Sequence, residues 1–446
     1  MRLLVVVAAL AALALPRVAR ADDPKIKFER FTLSNGLEVI LAPDPRVPLV
    51  AVNLWYHVGS GDEVHGKSGF AHLFEHMMFQ GSKNVGHDNH FPTLRKIGSD
   101  EINGTTNADR TNYFEVVPAN QLATALWLES DRMGHLLDIL DKDELANQID
   151  VVRNERRQRY DNVPYTPARF AMLAALYPEG HPYRYMTIGK HEDLVHATVD
   201  DVKNFFKTWY VPSNATLALV GDFDPADAKA LVQKWFGTFP TSVKPTVVKI
   251  SAPTISSSTV TVDDPLAKLR QVTFAWHSPA SYAPGDAELD IAASALGEEG
   301  AGRLFQSLVY KQLAQSVRVN QSGSTFSGVF SITVTLRSGS DLAAIEQIVA
   351  DEVAKISREP LGDKEIARVV AAQESHDIHL LEGLNSRANV LQEYNQFLGD
   401  PDRMAFDLDR YRKASAEQIR ATVAQWLSPQ HEVIVVTNPV AKAGAK

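Results

Sequence analysis

The spacing of apolar residues predicts strands and then helices within each half of the chain. Near the start, Phe31-Thr-Leu33 and Leu37–Leu41 flank Asn35-Gly36, a residue pair that favours the tight turn of a β-hairpin. Farther along, Leu342–Ile356 has the apolar period of an amphipathic helix. Strands followed by helices and a closing strand are typical of α+β domains, in which helices pack on a sheet.

The same series of predicted elements occurs twice, at an offset of 217 residues. Each copy has a helix that begins at a Thr or Ser N-cap, with an acidic or amide residue three positions later that completes a capping box. Each helix ends at a Trp, and a Pro and an apolar strand follow. The first copy comprises Thr198, Asp201, Trp209, Pro212 and Ala215–Val220, and the second comprises Ser415, Gln418, Trp426, Pro429 and Val433–Val436.

A second match lies upstream, where Gly69–Met78 aligns with Gly300–Val309 at an offset of 231 residues. We therefore predict an α+β fold of two homologous domains, each a mainly antiparallel sheet packed with helices on one face. A segment with several Pro and Ser residues separates the two copies and is typical of a linker. The predicted boundaries are 22–244 for the first domain, 245–258 for the linker and 259–446 for the second domain.

The first 21 residues have the composition of a targeting segment. Arg2 precedes an uninterrupted apolar stretch, Leu3–Leu15, which is shorter than the ~20 residues of a spanning helix. Ala19-Arg20-Ala21 then provides a small-x-small cleavage site. A mitochondrial transit peptide is the alternative, but that class is amphipathic and contains Ser. We expect a signal peptide cleaved after Ala21 and a periplasmic or secreted mature chain.

Composition narrows the chemistry further. The 446-residue chain carries 45 Lys and Arg against 54 Asp and Glu, a net charge of −9, which disfavours a nucleic-acid-binding surface. The sequence has 0 Cys, so disulfides, thiol nucleophiles and thiolate metal sites are excluded. A bound metal ion would have to be held by His and carboxylate side chains.

His72-Leu-Phe-Glu75-His76 is the strongest candidate for such a site. Residues four apart lie on one face of a helix, so two imidazoles can reach one zinc ion while Glu75 lies beside it. The alternative is a helix with two surface histidines, which the apolar flanking residues disfavour because they predict burial. We place the N-cap of this helix at Ser68. At the matching positions the second copy has Arg303, Gln306 and Ser307.

Catalytic zinc normally takes three protein ligands, so the motif requires a third. A helix predicted over Asp143–Tyr160 offers Glu144, Asp150 and Glu155, and spacing alone leaves all three open. The duplication favours Glu155, because it aligns with Gln373 and the charge is absent from the second copy.

The motif His72-x-x-Glu75-His76, followed by Asp150-Val-Val-Arg-Asn-Glu155-Arg, resembles the pitrilysin/insulinase family of zinc metallopeptidases, the inverzincins. The two-domain bacterial branch, related to the mitochondrial processing peptidase, is the most similar. The resemblance implies that His72, His76 and Glu155 bind one Zn2+ per chain and that Glu75 is the general base. It also implies a clamshell made by two chains, either a homodimer or a heterodimer with a related chain that lacks the zinc motif.

The resemblance further implies that Gly104–Phe114 is an edge strand to which a substrate peptide adds, with Asn107 and Ala108 beside the scissile bond. Some family members have a second Glu where this chain has Gln148. Tyr183 and Tyr210 are equally compatible with lining the chamber and with core packing.

We therefore expect an exported zinc-dependent endopeptidase that hydrolyses short or unfolded peptides. The alternative is a non-catalytic scaffold or peptide-binding subunit of a related heterodimer. The zinc content per chain distinguishes the two, because the enzyme requires about one ion and the scaffold none.

Overall fold

The computed structural model describes residues 23–99, 101–247 and 250–440. Two β-sheets and the helices packed on them account for the fold. The strands are β1 Glu29–Thr32, β2 Glu38–Pro43, β3 Leu49–Tyr56, β4 Glu101–Thr106, β5 Thr111–Pro118, β6 Ala215–Gly221, β7 Ser258–Asp264, β8 Gln271–Ser278, β9 Ala314–Ser322, β10 Gly328–Leu336 and β11 Val433–Pro439.

The α-helices of the described part lie between and after the strands of each half. They are α1 Phe70–Met77, α2 His90–Lys96, α3 Leu122–His135, α4 Lys142–Arg156, α5 Thr166–Leu176, α6 His191–Val195, α7 Val199–Trp209, α8 Pro225–Phe236, α9 Asp286–Gly297, α10 Leu342–Arg358, α11 Asp363–Leu380, α12 Leu384–Leu398, α13 Met404–Arg412 and α14 Ala416–Trp426.

The two sheets share one topology, which confirms the predicted duplication. The first has the order β1-β2-β6-β3-β5-β4 and the second the order β7-β11-β8-β10-β9. In each sheet one pair is parallel, β2 with β6 and β7 with β11, and the remaining pairs are antiparallel. The first sheet differs only by the additional strand β1, which forms the predicted hairpin with β2. The α+β class and the mainly antiparallel sheets are as predicted.

The repeated helices begin as their capping residues predict. Thr198 and Asp201 form a reciprocal capping box at the start of α7, and Ser415 and Gln418 do the same for α14. The helix predicted over Asp143–Tyr160 is shorter, because α4 ends at Arg156 and continues as a π-helical turn over Arg157–Asp161. Local side-chain chemistry therefore fixes these helix starts more reliably than their ends.

Each half places one helix on the other half's sheet. The helix α12 of the second half covers a face of the first sheet, where Leu384, Ala388 and Leu391 pack against its strands. In return, α5 and the residues after it pack on the second sheet, where Leu176 and Tyr177 join a buried cluster with β8 and β11. Each sheet thus has its own helices on one face, as predicted, and one helix from the other half on the opposite face. We call α5 and α12 the exchanged helices.

The predicted domain boundaries stay a prediction, because α5 and α12 each pack on the sheet of the other half. The described residues between Phe236 and Ser258 form neither helix nor strand. The predicted signal peptide, residues 1–21, lies outside the described residues. Within the described ranges no helix has both the length and the apolar character that crossing a bilayer requires.

Candidate metal centre

The helix α1 carries the motif and is anchored in the core of the first half. Phe70, Leu73, Phe74 and Met77 are all buried, so the remaining face is free to present polar side chains. The predicted N-cap is wrong: Gly69, with φ of 90°, occupies that position, because a carboxylate satisfies the first amides instead. The backbone N–H groups of Gly69 and Ala71 donate to Glu63, and the Ser68 hydroxyl donates to Asp193.

The two histidines and one glutamate converge where α1 contacts α4. The Nε2 atoms of His72 and His76 lie 3.6 and 3.1 Å from Oε2 of Glu155. The two imidazole rings are 4.7 Å apart, with an angle of 76° between their planes. One candidate ligand atom from each of the three residues lies within 4.8 Å of the others. This is the only such group of three or more His, Asp or Glu side chains among the described residues.

The two competing carboxylates on α4 point elsewhere. The Glu144 carboxylate contacts Nδ1 of His87. Asp150 accepts a hydrogen bond of 2.9 Å from Arg153, one helical turn along α4. Glu155 is therefore the third residue that the structure brings to the histidines, as the duplication favoured.

Burial and charge hold His72 and Glu155 in states that suit metal binding. Burial, with repulsion from His76, lowers the pKa of His72 to about 4, so its imidazole is neutral near pH 7. Contact with His76 lowers the pKa of Glu155, so its carboxylate is ionised. Arg159 lies 3.0 Å from the other oxygen of Glu155, Oε1, and leaves Oε2 facing the histidines. A neutral imidazole and an ionised carboxylate are the forms that coordinate a cation.

Glu75 lies on the same helix but is held by the edge strand β4 rather than by the histidines. Its Oε2 accepts a hydrogen bond of 2.6 Å from the Thr106 hydroxyl at the end of β4. Burial raises the pKa of Glu75, and this hydrogen bond opposes the shift. A Cβ at Gly104 would lie 3.1 Å from Cγ of Glu75 and 2.9 Å from the Phe79 ring. Gly104 therefore lets β4 approach the carboxylate closely.

The predicted edge strand over Gly104–Phe114 is wrong as a single strand. It comprises the end of β4, a turn and the start of β5, and only β4 lies at the sheet edge. The Asn107 side chain makes the turn, because its Oδ1 accepts from the N–H groups of Asp109 and Arg110. The carbonyls of Asn107 and Ala108 accept hydrogen bonds from Ser60 and Gly61. The two residues thus follow the edge strand, and their predicted role at the scissile bond stays a prediction.

The structure also gives the positions of three residues whose roles the sequence left open, Gln148, Tyr183 and Tyr210. Gln148 is buried on α4, two turns before Glu155. Tyr210 is buried in the core of the first half, whereas Tyr183 lines a cavity at the junction of the two halves and donates a hydrogen bond of 2.6 Å to Asp109. Sequence reasoning missed Thr106, and the only signal for it was its place in the segment assigned to the edge strand.

The donor set fits zinc better than the harder divalent cations. Two imidazole nitrogens and one carboxylate oxygen are a common catalytic zinc ligand set, whereas calcium and magnesium prefer all-oxygen sites. The three side chains are also only 13 to 22% exposed, so they converge in a sheltered place with few competing water contacts. The residues present therefore fit one zinc ion, and Glu75 is placed beside it.

Comparison with known proteins assigns each half of the chain to one family. The profile of the family described as "Insulinase (Peptidase family M16)" matches residues 38–185, which include all four site residues. The profile described as "Peptidase M16 inactive domain" matches residues 196–373 and so begins in the first half and continues far into the second. The two matches together span most of the chain.

Individual relatives cover nearly the whole chain. The sequence is 28% identical to the zinc protease PqqE of Helicobacter pylori, over 86% of this chain and 87% of that protein. A crystal structure of a protease from Helicobacter pylori has a TM-score of 0.86 and 25% identity, over 93% of this chain and 99% of that one. The periplasmic protease PqqL of Escherichia coli has a TM-score of 0.78 and 17% identity, over 93% of this chain but 48% of that one.

Proposed function

The chain belongs to the insulinase family of peptidases, family M16, and from this premise we propose that it is a zinc-dependent endopeptidase. The observation that carries the proposal is the convergence of His72, His76 and Glu155 within 4.8 Å, next to the buried carboxylate of Glu75. The described residues of the second half contain no counterpart of this group. The similarity to proteins named zinc proteases agrees with this chemistry.

In this proposal His72, His76 and Glu155 hold the metal and Glu75 moves the proton. A zinc ion bound there would supply Lewis acidity, polarising the peptide carbonyl and acidifying a water molecule. Glu75 accepts the proton of the attacking water and delivers it to the leaving amine nitrogen. Thr106 holds the Glu75 carboxylate by its hydrogen bond, so the base is oriented before the peptide arrives.

The substrate class follows from the edge strand. No described strand pairs with the outer edge of β4, so an extended peptide can add to the sheet there. Such pairing recognises the backbone irrespective of sequence and requires an unfolded segment. We therefore propose that the enzyme cleaves short or unfolded peptides, and that Asn107 and Ala108 border the path of the peptide at the end of β4.

The test is the replacement Glu75→Gln, measured by hydrolysis of a quenched fluorogenic peptide by the purified mature chain. We expect kcat to fall by about 10²–10⁴-fold while zinc stays near one ion per chain, because the ligands are untouched. The matched control is Gln306→Glu at the corresponding position of the second half, which is expected to keep the wild-type rate. Full hydrolysis by Glu75→Gln would refute the assignment of the base.

Zinc analysis separates the enzyme from the alternative. A purified, unchelated chain with about one zinc and chelator-sensitive hydrolysis supports the peptidase. A chain that binds peptides with no zinc would instead be a non-catalytic scaffold or peptide-binding subunit.

We also propose export and pairing of two chains. The predicted signal peptide, residues 1–21, directs the chain to the periplasm or outside the cell, and a periplasmic protease shares its fold. That protease matches this chain over 48% of its length, so two chains of the present size correspond to one of those. A dimer, of two copies or with a related chain that lacks the zinc motif, is expected by light scattering; a monomer that hydrolyses peptides at the full rate would contradict it.

A further inference from the structure

A cavity of about 780 Å3 lies between the two halves, next to the end of the edge strand. One wall comes from α5 and the segments on either side of it, including Tyr165, Met172 and Tyr183. The other wall is the second sheet, on the face opposite its core. The cavity is partly open, so an extended peptide segment can enter it.

The pleat of the second sheet determines the chemistry of that wall. Along β10, Phe330, Ile332 and Val334 point into the core, so the residues between them face the cavity. Strand pairing aligns these with polar residues of β8 and β9, and the result is a surface of hydroxyl, amide and guanidinium groups. Its rows across the strands are Thr273–Thr333–Arg318, Ser331–Asn320 and Val329–Ser322.

The charge of the cavity is opposite in sign to that of the chain. Arg169 on α5 and Arg318 on β9 are the only charged residues that line it, and no Asp or Glu does so among the described residues. Neither guanidinium has an ion-pair partner within the described part of the chain, although the whole protein has a net charge of −9. Unpaired guanidinium groups beside hydroxyls are well suited to bind carboxylates through charge-assisted hydrogen bonds.

The cavity continues the path that a peptide would take from the metal centre. Ala108, in the turn that follows β4, lines it, as does Tyr160, five residues after Glu155 in the same helical segment. That separation corresponds to about 7 Å along a helix, or two to three residues of an extended peptide. A peptide paired with β4 therefore passes Thr106 and reaches the cavity within a few residues.

We propose that this cavity is a substrate subsite that recognises carboxylate groups, so that acidic peptides are preferred; the inference rests on the proposed peptidase function. Arg169 and Arg318 bind the carboxylate of the peptide segment that leaves the metal centre past Thr106. The hydroxyl wall supplies further hydrogen-bond donors.

The test compares matched fluorogenic peptides that carry Asp or Asn two to four residues from the scissile bond, on one side or the other. For the wild type at low salt we expect kcat/KM to be about tenfold higher for the Asp peptide than for the Asn peptide on one side of the scissile bond. At high salt we expect a smaller ratio. In the double variant Arg169→Gln, Arg318→Gln this ratio is expected to fall below about twofold. Arg358→Gln, which removes an exposed arginine on α10, is the matched control and should keep the wild-type ratio.

Two outcomes would overturn the inference: equal cleavage of Asp and Asn peptides by the wild type, or an unchanged ratio in the double variant. The variants Arg169→Lys and Arg318→Lys keep the charge and are expected to keep part of the preference. Peptides with free and amidated C-termini locate the recognised carboxylate at the chain end or on a side chain, and either location supports the subsite.

Binding separates this inference from the proposed function. Zinc-loaded Glu75→Gln is titrated with fluorescently labelled Asp and Asn peptides, and the Asp peptide is expected to bind about tenfold more tightly. Tight, selective binding without any hydrolysis by the wild type would refute the peptidase and keep the subsite. Hydrolysis by the wild type with equal binding of both peptides would refute the subsite and keep the peptidase.

Discussion

The helix α1 and its counterpart in the second half make different polar contacts with the helices next to them. In the first half, His72 and His76 face Glu155 across the contact between α1 and α4, and a cation would complete the group. In the second half the corresponding segment, Phe305–Val309, is a π-helical turn, and Arg303 just before it pairs with Glu365 of α11. Both segments keep a Leu-Phe pair that packs on the core: Leu73 and Phe74 are buried in the first half, whereas Leu304 is buried and Phe305 partly buried in the second.

At the positions that correspond to the first half's site, the polar side chains of the second half have hydrogen-bond partners within that half. Arg303, which replaces the first histidine, forms two hydrogen bonds of 3.0 and 2.8 Å with Glu365 on α11. Ser307 and Gln306 donate to backbone carbonyls, and Gln373 donates to Asp377 one turn along α11. In the first half, by contrast, buried Nδ1 of His72 has no partner. The second half thus has the Arg303–Glu365 ion pair, whereas the first half has the group His72, His76 and Glu155.

The largest expected effect comes from replacing the third candidate ligand, Glu155, by the residue type that the second half has at the corresponding position, Gln373. Glu155→Gln removes the only anionic ligand, so we expect zinc affinity to fall by more than about 100-fold and activity to fall with it at limiting zinc. Competition with a fluorescent chelator measures the affinity. The reverse change, Gln373→Glu, is the control and is expected to add no zinc, because Arg303 and Ser307 stand in the second half where the first half has His72 and His76. Unchanged affinity in Glu155→Gln would identify another carboxylate as the ligand.

A second prediction concerns the pH dependence of the second half. Burial, with repulsion from Asp286, raises the pKa of Asp290 to about 7, while the Tyr411 hydroxyl and Arg410 oppose the shift. Between about pH 4 and 7 the unfolded chain loses this proton and the folded chain keeps it, so the free energy of unfolding falls as the pH rises. Asp290→Asn is expected to reduce that fall by on the order of 2 kcal/mol.

Urea unfolding of the chelated protein at pH 4 to 8 measures this effect. The zinc ligands then titrate equally in wild type and variant, and the difference between them reports Asp290. Identical pH slopes in the two proteins would contradict the prediction.

The smallest expected effect comes from breaking the ion pair that replaces the metal. Arg303→Ala and Glu365→Ala are each expected to lower the free energy of unfolding by about 1 kcal/mol, because the pair is bidentate and its side chains are only 21 and 22% exposed. A double-mutant cycle measures the coupling. Zinc content should not change, and a loss of zinc would show that the two helix contacts are not independent.

The sequence predicted those parts of the fold and site that depend on nearby residues. The capping boxes at Thr198 and Ser415 and the apolar face of α1 act within a few residues, so helices could be placed from them. Choosing Glu155 over Glu144 and Asp150 required the contact between α1 and α4, since all three lie on one helix.

Two other features depend on interactions that residue types do not specify. The turn within Gly104–Phe114 arises because the Asn107 side chain accepts two backbone hydrogen bonds, whereas the surrounding Thr and Asn residues are also compatible with a strand. The exchanged helices α5 and α12 have apolar faces that indicate burial, but their pattern does not tell which sheet they cover. A long-range choice of partner is not encoded in local periodicity.

The exchange of α5 and α12 also has a consequence for the integrity of the molecule. A protease that nicked the connecting segment between α8 and β7 would leave two fragments that remain clasped, since each still has a helix embedded in the other. Co-expressed as separate polypeptides, the two fragments should reassemble, and the nicked protein should keep its two halves together without a covalent connection.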